Sequence, residues 1–227
     1  NLFARLIAVL FVSCGFAFGQ DLNDGLVAYY PFNGNANDES GNSLHGVPTN
    51  TVLTADRNGT PNSAYQFQPD VDSQIRIADN PLLNFDDQFT VSYWAKFDGT
   101  WTYHQESLVY KFQLGSRRGW HFGVDQNDSQ NGPQKYRYAF QIGEGGGPIP
   151  DSFEILDFAS ISGWHHVTGV LRNSMIEFYL DGVLVASSPG PATVPNVATD
   201  MIFGGAVNPV SGAYQRNLDD IRIYNRG

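Results

Sequence analysis

An all-β fold of two antiparallel sheets packed face to face is what this sequence predicts. Apolar and polar residues alternate in short runs, as in Phe89 to Phe97 (FTVSYWAKF) and Gln74 to Ala78 (QIRIA), which is the two-residue period of half-buried strands. Turn formers are plentiful, with 24 Gly and 12 Pro, and 14% of the chain is aromatic; that mix favours strands and turns over helices. No long stretch shows a helical period, so almost no helix is expected.

The strands follow in order. Leu26 to Phe32 is a β-rich run ending near Pro31, and the two alternating runs above come next. Ser107 to Lys111, Trp120 to Val124 and Tyr136 to Ile142 continue the series, then Trp164 to Leu171 and Met175 to Leu180. Asp181-Gly182 before Val183 to Ala186 is the clearest hairpin, because Asp-Gly accepts the positive φ angles of a tight type I′ turn. Met201 to Phe203 and Leu218 to Tyr224 close the set. Many short strands separated by turn signals mean a sandwich or a barrel.

Residues 1–19 read as a secretion signal rather than part of the fold. Arg5 supplies a positive charge, Leu6 to Val12 a short apolar stretch, and Ala17-Phe18-Gly19 the small residues of a cleavage site before Gln20. The apolar run is too short for a membrane span of ~20 residues. The chain begins with Asn, so the charged region is read as incomplete. The single cysteine, Cys14, lies in this segment, so residues 20–227 carry no disulfide, thiolate metal site or Cys nucleophile. Phe11-Val12-Ser13-Cys14 also loosely resembles a lipoprotein signal, in which Cys14 is lipidated. The net charge of −10 argues against nucleic acid and anionic membranes, which need a basic face.

Several blocks carry a family resemblance. GLVAYYPFNGNANDESGNSLHG at 25–46, NSAYQFQPDVDSQIRI at 62–77, FTVSYWAKF at 89–97, GWHHVTGVLRNSMIEFYLDGVLVAS at 163–187 and LDDIRIYNR at 218–226 resemble, in order, the signatures of LamG-like (laminin-G-like, concanavalin A-like) jelly-roll domains of bacterial surface proteins. The resemblance implies a jelly-roll sandwich over 20–227. The chain departs from the family at FQPDVDSQI and over 112–162, and it stops at Gly227 where the family runs on, so a longer source protein with other modules is expected.

The loop Asn35 to Gly46 offers carboxylate and carboxamide oxygens beside Gly, the ligand chemistry of Ca²⁺. It lacks EF-hand spacing, so a full shell needs a partner from elsewhere. Strict alternation in Leu218 to Tyr224 puts Asp219 on the inner face with Ile221 and Ile223, and Asp220 on the opposite face; a buried carboxylate must be paired or bind a metal. The resemblance points the same way, since family members commonly hold a structural Ca²⁺ between these two segments. The expected set is Asp38, Asn42, His45 and Asp219. The alternative is that DESGN is a hydrogen-bonded Asx turn and Asp219 caps nearby amides.

His165 and His166 are adjacent on a strand and cannot share one zinc; His166 is read as a packed core residue. Glu177 and Asp181, the best local acid pair, are four strand residues apart, ~13 Å, which suits no glycosidase geometry, and no catalytic motif appears. No enzyme is therefore expected. Trp101, Tyr103, Arg117 and Tyr136, in the variable stretch 99–162, form the expected ligand site, because sugars are held by aromatic faces and convergent hydrogen bonds. The leading function is a secreted or surface carbohydrate-binding module for a glycan. A protein-interaction, adhesion or structural module contacting an extracellular surface protein is the second reading, and a glycoside hydrolase the third.

Overall fold

The computed structural model describes residues 21–68, 72–98, 105–127, 135–145, 151–157, 162–205 and 215–227. The expected signal segment 1–19, with Cys14, and Trp101 and Tyr103 lie outside them. Fifteen strands are present among the described residues: β1 (Leu26–Tyr30), β2 (Val47–Thr49), β3 (Thr51–Thr54), β4 (Ala64–Phe67), β5 (Gln74–Ile77), β6 (Phe89–Asp98), β7 (Gln105–Gln113) and β8 (Arg118–Asn127), then β9 (Lys135–Glu144), β10 (Asp151–Asp157), β11 (His165–Arg172), β12 (Met175–Leu180), β13 (Val183–Pro189), β14 (Met201–Gly204) and β15 (Gln215–Tyr224). The helical content among those residues is one 3₁₀ turn, Pro81–Leu83, whose first amides are capped by the Asn80 side chain accepting from the Leu82 N–H at 3.0 Å.

The strands form two antiparallel sheets. The larger runs β13-β12-β11-β6-β15-β4-β3, with β1 also paired to β15; the smaller runs β10-β9-β8-β7-β14-β5-β2. The first and last strands therefore lie side by side, with Tyr29 opposite Arg222 and Tyr30 opposite Ile221. Asp181 and Gly182, with φ of 51° and 78°, make the type I′ turn between β12 and β13 that the sequence predicts.

Alternation builds the core directly. On β6, Phe89, Val91, Tyr93, Ala95 and Phe97 all point inward and are fully buried, joining a single cluster whose members run from Val27 to Ile223. Across from β11, Phe122 and Phe140 stack with centroids 4.3 Å apart. They sit so close to β11 that a Cβ at Gly169 would lie 2.4 to 2.6 Å from both rings. Glycine is there because the neighbouring rings fill the space a side chain needs.

Four strands, β2, β3, β4 and β10, were not marked by alternation in the sequence. Three of them are sheet edges, and β2 is exposed along its whole length. An edge strand buries too little to impose a strict apolar period.

Candidate functional site

The outward residues of the larger sheet form rows that cross several strands. In one row His166 on β11 lies opposite Trp94 on β6, which lies opposite Asp219 on β15. In the next, Thr168, Ser92, Arg222 and Tyr29 follow one another across β11, β6, β15 and β1. A third places Thr90 opposite Tyr224. Directly opposed residues share one face of a sheet, with neighbouring strands ~4.8 Å apart, so these side chains form one surface. Beside the first row a hollow of about 260 Å³ opens. It is lined by Thr90, Ser92, His166 and Thr168 from β6 and β11, by Arg222 and Tyr224 from β15, and by Leu22 and Arg226 from the flanking chain.

A β-bulge shapes the first row. Three steps along β15, from Asp219 to Arg222, oppose two along β6, from Trp94 to Ser92, and Asp220 takes φ 54°. Leu218 and Ile221 both remain in the core, so the extra residue puts both carboxylates on the outer side. Bulges commonly re-aim side chains in this way. Arg57 binds the pair, with Nη1 2.6 Å from Asp219 Oδ2 and Nη2 3.0 Å from Asp220 Oδ2. Its guanidinium also lies 4.8 Å from the Trp94 ring centroid, and Trp94 packs against His166 at 5.2 Å. Asp220 holds Arg222 with its other oxygen at 2.9 Å, and Arg222 lies 4.2 Å from the Tyr29 ring. The expected inward position of Asp219 and the opposite position of Asp220 are thus both corrected: one inserted residue shifts the side-chain period.

Burial acts on two titrating groups here. It pushes the Asp219 carboxyl up to about 7 against the pull of Arg57, and it pushes the His166 imidazole down despite the nearby Asp220 and Asp181. The two oppose each other in stability. Because folded Asp219 binds its proton more tightly than a free carboxyl, its contribution is gained as pH falls from about 7 and lost as pH rises through that value. His166 resists a proton that the unfolded chain accepts near pH ~6.5, so its contribution is lost on acidification. Relative to the parent, His166→Gln is expected to keep more stability between about pH 7 and 5, and Asp219→Asn to keep less. Urea unfolding at both ends of that range checks this; parallel slopes in all three proteins would refute it.

The family assignment rests on a match over residues 69–227 to the Laminin_G_3 model, described as the concanavalin A-like lectin/glucanases superfamily. The chain belongs to this family. Among solved structures, this laminin-G-type chain is similar to the binding domain of Paraclostridial Mosquitocidal Protein 1, with a TM-score of 0.72 and 20% identity over 90% of this chain and 50% of that one. It is also similar to botulinum neurotoxin type C, whose cell entry is dependent upon interaction with two ganglioside molecules (TM-score 0.68, 14% identity, 90% and 48% covered). The botulinum neurotoxin serotype D binding domain is a further likeness (TM-score 0.64, 15% identity, 90% and 48% covered). The chain spans about half the length of each, and at these identities the likeness is one of fold. No curated protein sequence matches this one.

The residues expected to bind calcium are not drawn into one shell in this laminin-G-type domain. Asp38 is buried, and its carboxylate accepts from the backbone N–H groups of Tyr29, Ser40 and Leu44 at 2.9 to 3.0 Å, with the Ser40 hydroxyl at 2.9 Å. His45 is turned to the loop itself, its Nδ1 accepting from the Asp38 N–H at 3.2 Å, and Asn42 donates to the Val27 carbonyl at 2.8 Å. Asp219 is held by Arg57. No group of three or more His, Cys, Asp or Glu among the described residues is arranged to hold a metal. The Asp38 oxygens are thus engaged by protein donors, and the Ser40 hydroxyl is also within reach of the Val27 carbonyl at 3.0 Å.

The expected ligand residues also divide. Arg117 is exposed in the β7–β8 turn. Tyr136 stands opposite Gln126, near the far end of β8 and ~30 Å away at strand rise, with its side chain outside the described residues. Arg117 and Tyr136 thus do not share a site. His166 is on the outer face rather than in the core, whereas Trp120 is a core residue, 1% exposed. Glu177 is bound by Arg172 and Tyr179, and Asp181 by His165 and the His166 N–H; each acid is held by its own partners. The outer-face hollow was missed, although FTVSYWAKF contains part of it: Thr90 and Ser92, at alternate outward positions of β6, supply two of its hydroxyls.

Proposed function

We propose that this chain is a carbohydrate-binding module of a secreted or surface-displayed protein, holding its glycan on the outer face of the larger sheet, and that it is not an enzyme. The observation that carries the reading is the hollow itself. It is concave, lined by hydroxyls from two adjacent strands, and flanked by Tyr224 and by the guanidinium groups of Arg222 and Arg226, which rest on the Tyr29 and Tyr224 rings. Convergent polar groups beside aromatic walls are what hold a sugar ring. The binding domains among its structural likenesses, and the ganglioside interaction of one of them, support the same reading. Trp101 and Tyr103, between β6 and β7, belong to the proposal as a second place for stacking.

Thr168 points into the hollow from β11, so Thr168→Tyr fills it with little effect on the core. On a glycan array, that variant is expected to lose at least about tenfold in affinity, the scale of a central contact, while keeping its melting temperature. Trp101→Ala, made in parallel, reports on the second place. Undiminished binding by Thr168→Tyr moves the site away from this face. Silence of the parent towards every glycan, with binding to an extracellular protein, favours the adhesion reading.

A further inference from the structure

We propose that the hollow takes the carboxylate of an acidic saccharide, with Arg226 as the group that grips it; this rests on the glycan reading above. Charge is the first argument. The chain carries 23 Asp and Glu against 13 Lys and Arg, yet no carboxylate lines the hollow; with Arg222 held by Asp220 and burial disfavouring a proton on His166, Arg226 gives the lining its net positive charge. In so acidic a protein, a concave surface with this balance is a place where an anion meets the least repulsion.

Arg226 is the second argument. Arg57, Arg76, Arg172 and Arg222 are each paired with an Asp or Glu. Arg226 has no carboxylate partner among the described residues. Its Nε donates to the Asp24 carbonyl at 2.6 Å, and its guanidinium lies 5.0 Å from the Tyr224 ring. The backbone beneath it is tied down as well: the Thr90 hydroxyl donates to the Arg226 carbonyl at 2.7 Å, and the Asn225 N–H donates to the Gly25 carbonyl at 2.9 Å. The planar fork is thus oriented in advance with its terminal N–H groups uncommitted to any acid, and such a fork matches a carboxylate bidentately.

The remainder of the lining suits the rest of an acidic sugar. Thr168 and Ser92, directly opposed across β11 and β6, present hydroxyls that both donate and accept. Arg222, neutralised by Asp220, adds donors without adding net charge. At about 260 Å³ the hollow is smaller than the ~300–1,000 Å³ of drug-sized sites, the scale of a single sugar unit rather than an extended chain.

The test is calorimetric titration of the full chain with 3′-sialyllactose, digalacturonic acid and lactose. At least one acidic probe is expected to bind about tenfold or more tighter than lactose, with an advantage that shrinks as salt is raised. Arg226→Gln should reduce that probe to the level of lactose, and Arg226→Lys should restore part of the gap, since a point charge replaces the fork. Unchanged melting temperatures show that the variants are folded; if Arg226→Gln fails to fold, the salt dependence and the acidic-over-neutral ratio of the parent still decide. Equal affinity for acidic and neutral probes overturns the inference and leaves the glycan reading standing. An acidic preference untouched by Arg226→Gln overturns the role of Arg226. Failure of all three probes overturns the inference, and silence across a full glycan array removes the glycan reading with it.

Discussion

Asp38→Ala is expected to lower the unfolding free energy by roughly 3–5 kcal/mol, because it strips a buried carboxylate from three backbone amides and a hydroxyl at once. A hydrogen bond to a charged group contributes ~1.5–3 kcal/mol, and each buried donor left unpaired costs ~1–3 kcal/mol; the exposed parts of the loop can turn towards water, which keeps the total below the sum. The side chain joins β1, through the Tyr29 N–H, to the loop that leads to β2, through Ser40 and Leu44. Leu44 in turn accepts the buried Tyr30 hydroxyl on its carbonyl at 2.7 Å, so loosening the loop also disturbs the core. Urea unfolding measures the effect, and a loss under ~1 kcal/mol would show that Asp38 is not the strut described here. The same titration in calcium and in chelator separates strut from ligand. A strut loses the same stability in both, whereas a calcium-dependent gain that vanishes in Asp38→Ala would show that the ion displaces these protein donors.

Arg57→Ala is expected to cost roughly 2–4 kcal/mol. Removing one partner of a buried ion pair typically costs ~3–5 kcal/mol, since the other charge is left without compensation. Here Asp219 has a side chain only 3% exposed, while Arg57 is 27% exposed, which places the loss towards the lower end. Two carboxylates lose their cation together, and the Trp94 ring loses the group resting on it. Burial already favours a proton on Asp219, whose pKa is pushed up to about 7, and the absence of Arg57 strengthens that preference. The loss in Arg57→Ala should therefore shrink as pH falls below about 7. Combining Arg57→Ala with Asp219→Asn should recover part of the stability, a non-additivity expected of groups in direct contact. Denaturant melts of both variants at two pH values check this, and a loss that is additive and independent of pH would refute it.

Much of the fold was legible because local chemistry and long-range burial agree. On β6 the alternation of Phe89, Val91, Tyr93, Ala95 and Phe97 with Thr90, Ser92, Trp94 and Lys96 is the strand's own signature, and the structure buries the first set as that pattern requires. The Asp181-Gly182 turn was legible for the same reason, since its geometry depends on two adjacent residues that tolerate positive φ. β2, β3 and β10 were not legible, because an edge strand takes its place from one neighbour's hydrogen bonds rather than from a buried stripe.

The site divides along the same line. By itself the sequence determined most of the strands, the alternation along β6 and the Asp181-Gly182 turn, and the family blocks implied the jelly roll. Only the tertiary structure decided which outward side chains meet. Arg57 and Asp219 are 162 residues apart, and their contact depends on a bulge that no local pattern announces, because an inserted residue is defined only against the partner strand. That bulge places Asp219 in an outward ion-pair network with Arg57 and Asp220, where strict alternation would have turned it inward. The rows that bring Thr168, Ser92 and Arg222 together exist only once β11, β6 and β15 lie in register. A binding face on a sheet is a property of pairing between strands, whereas the residues along one strand are written in sequence alone.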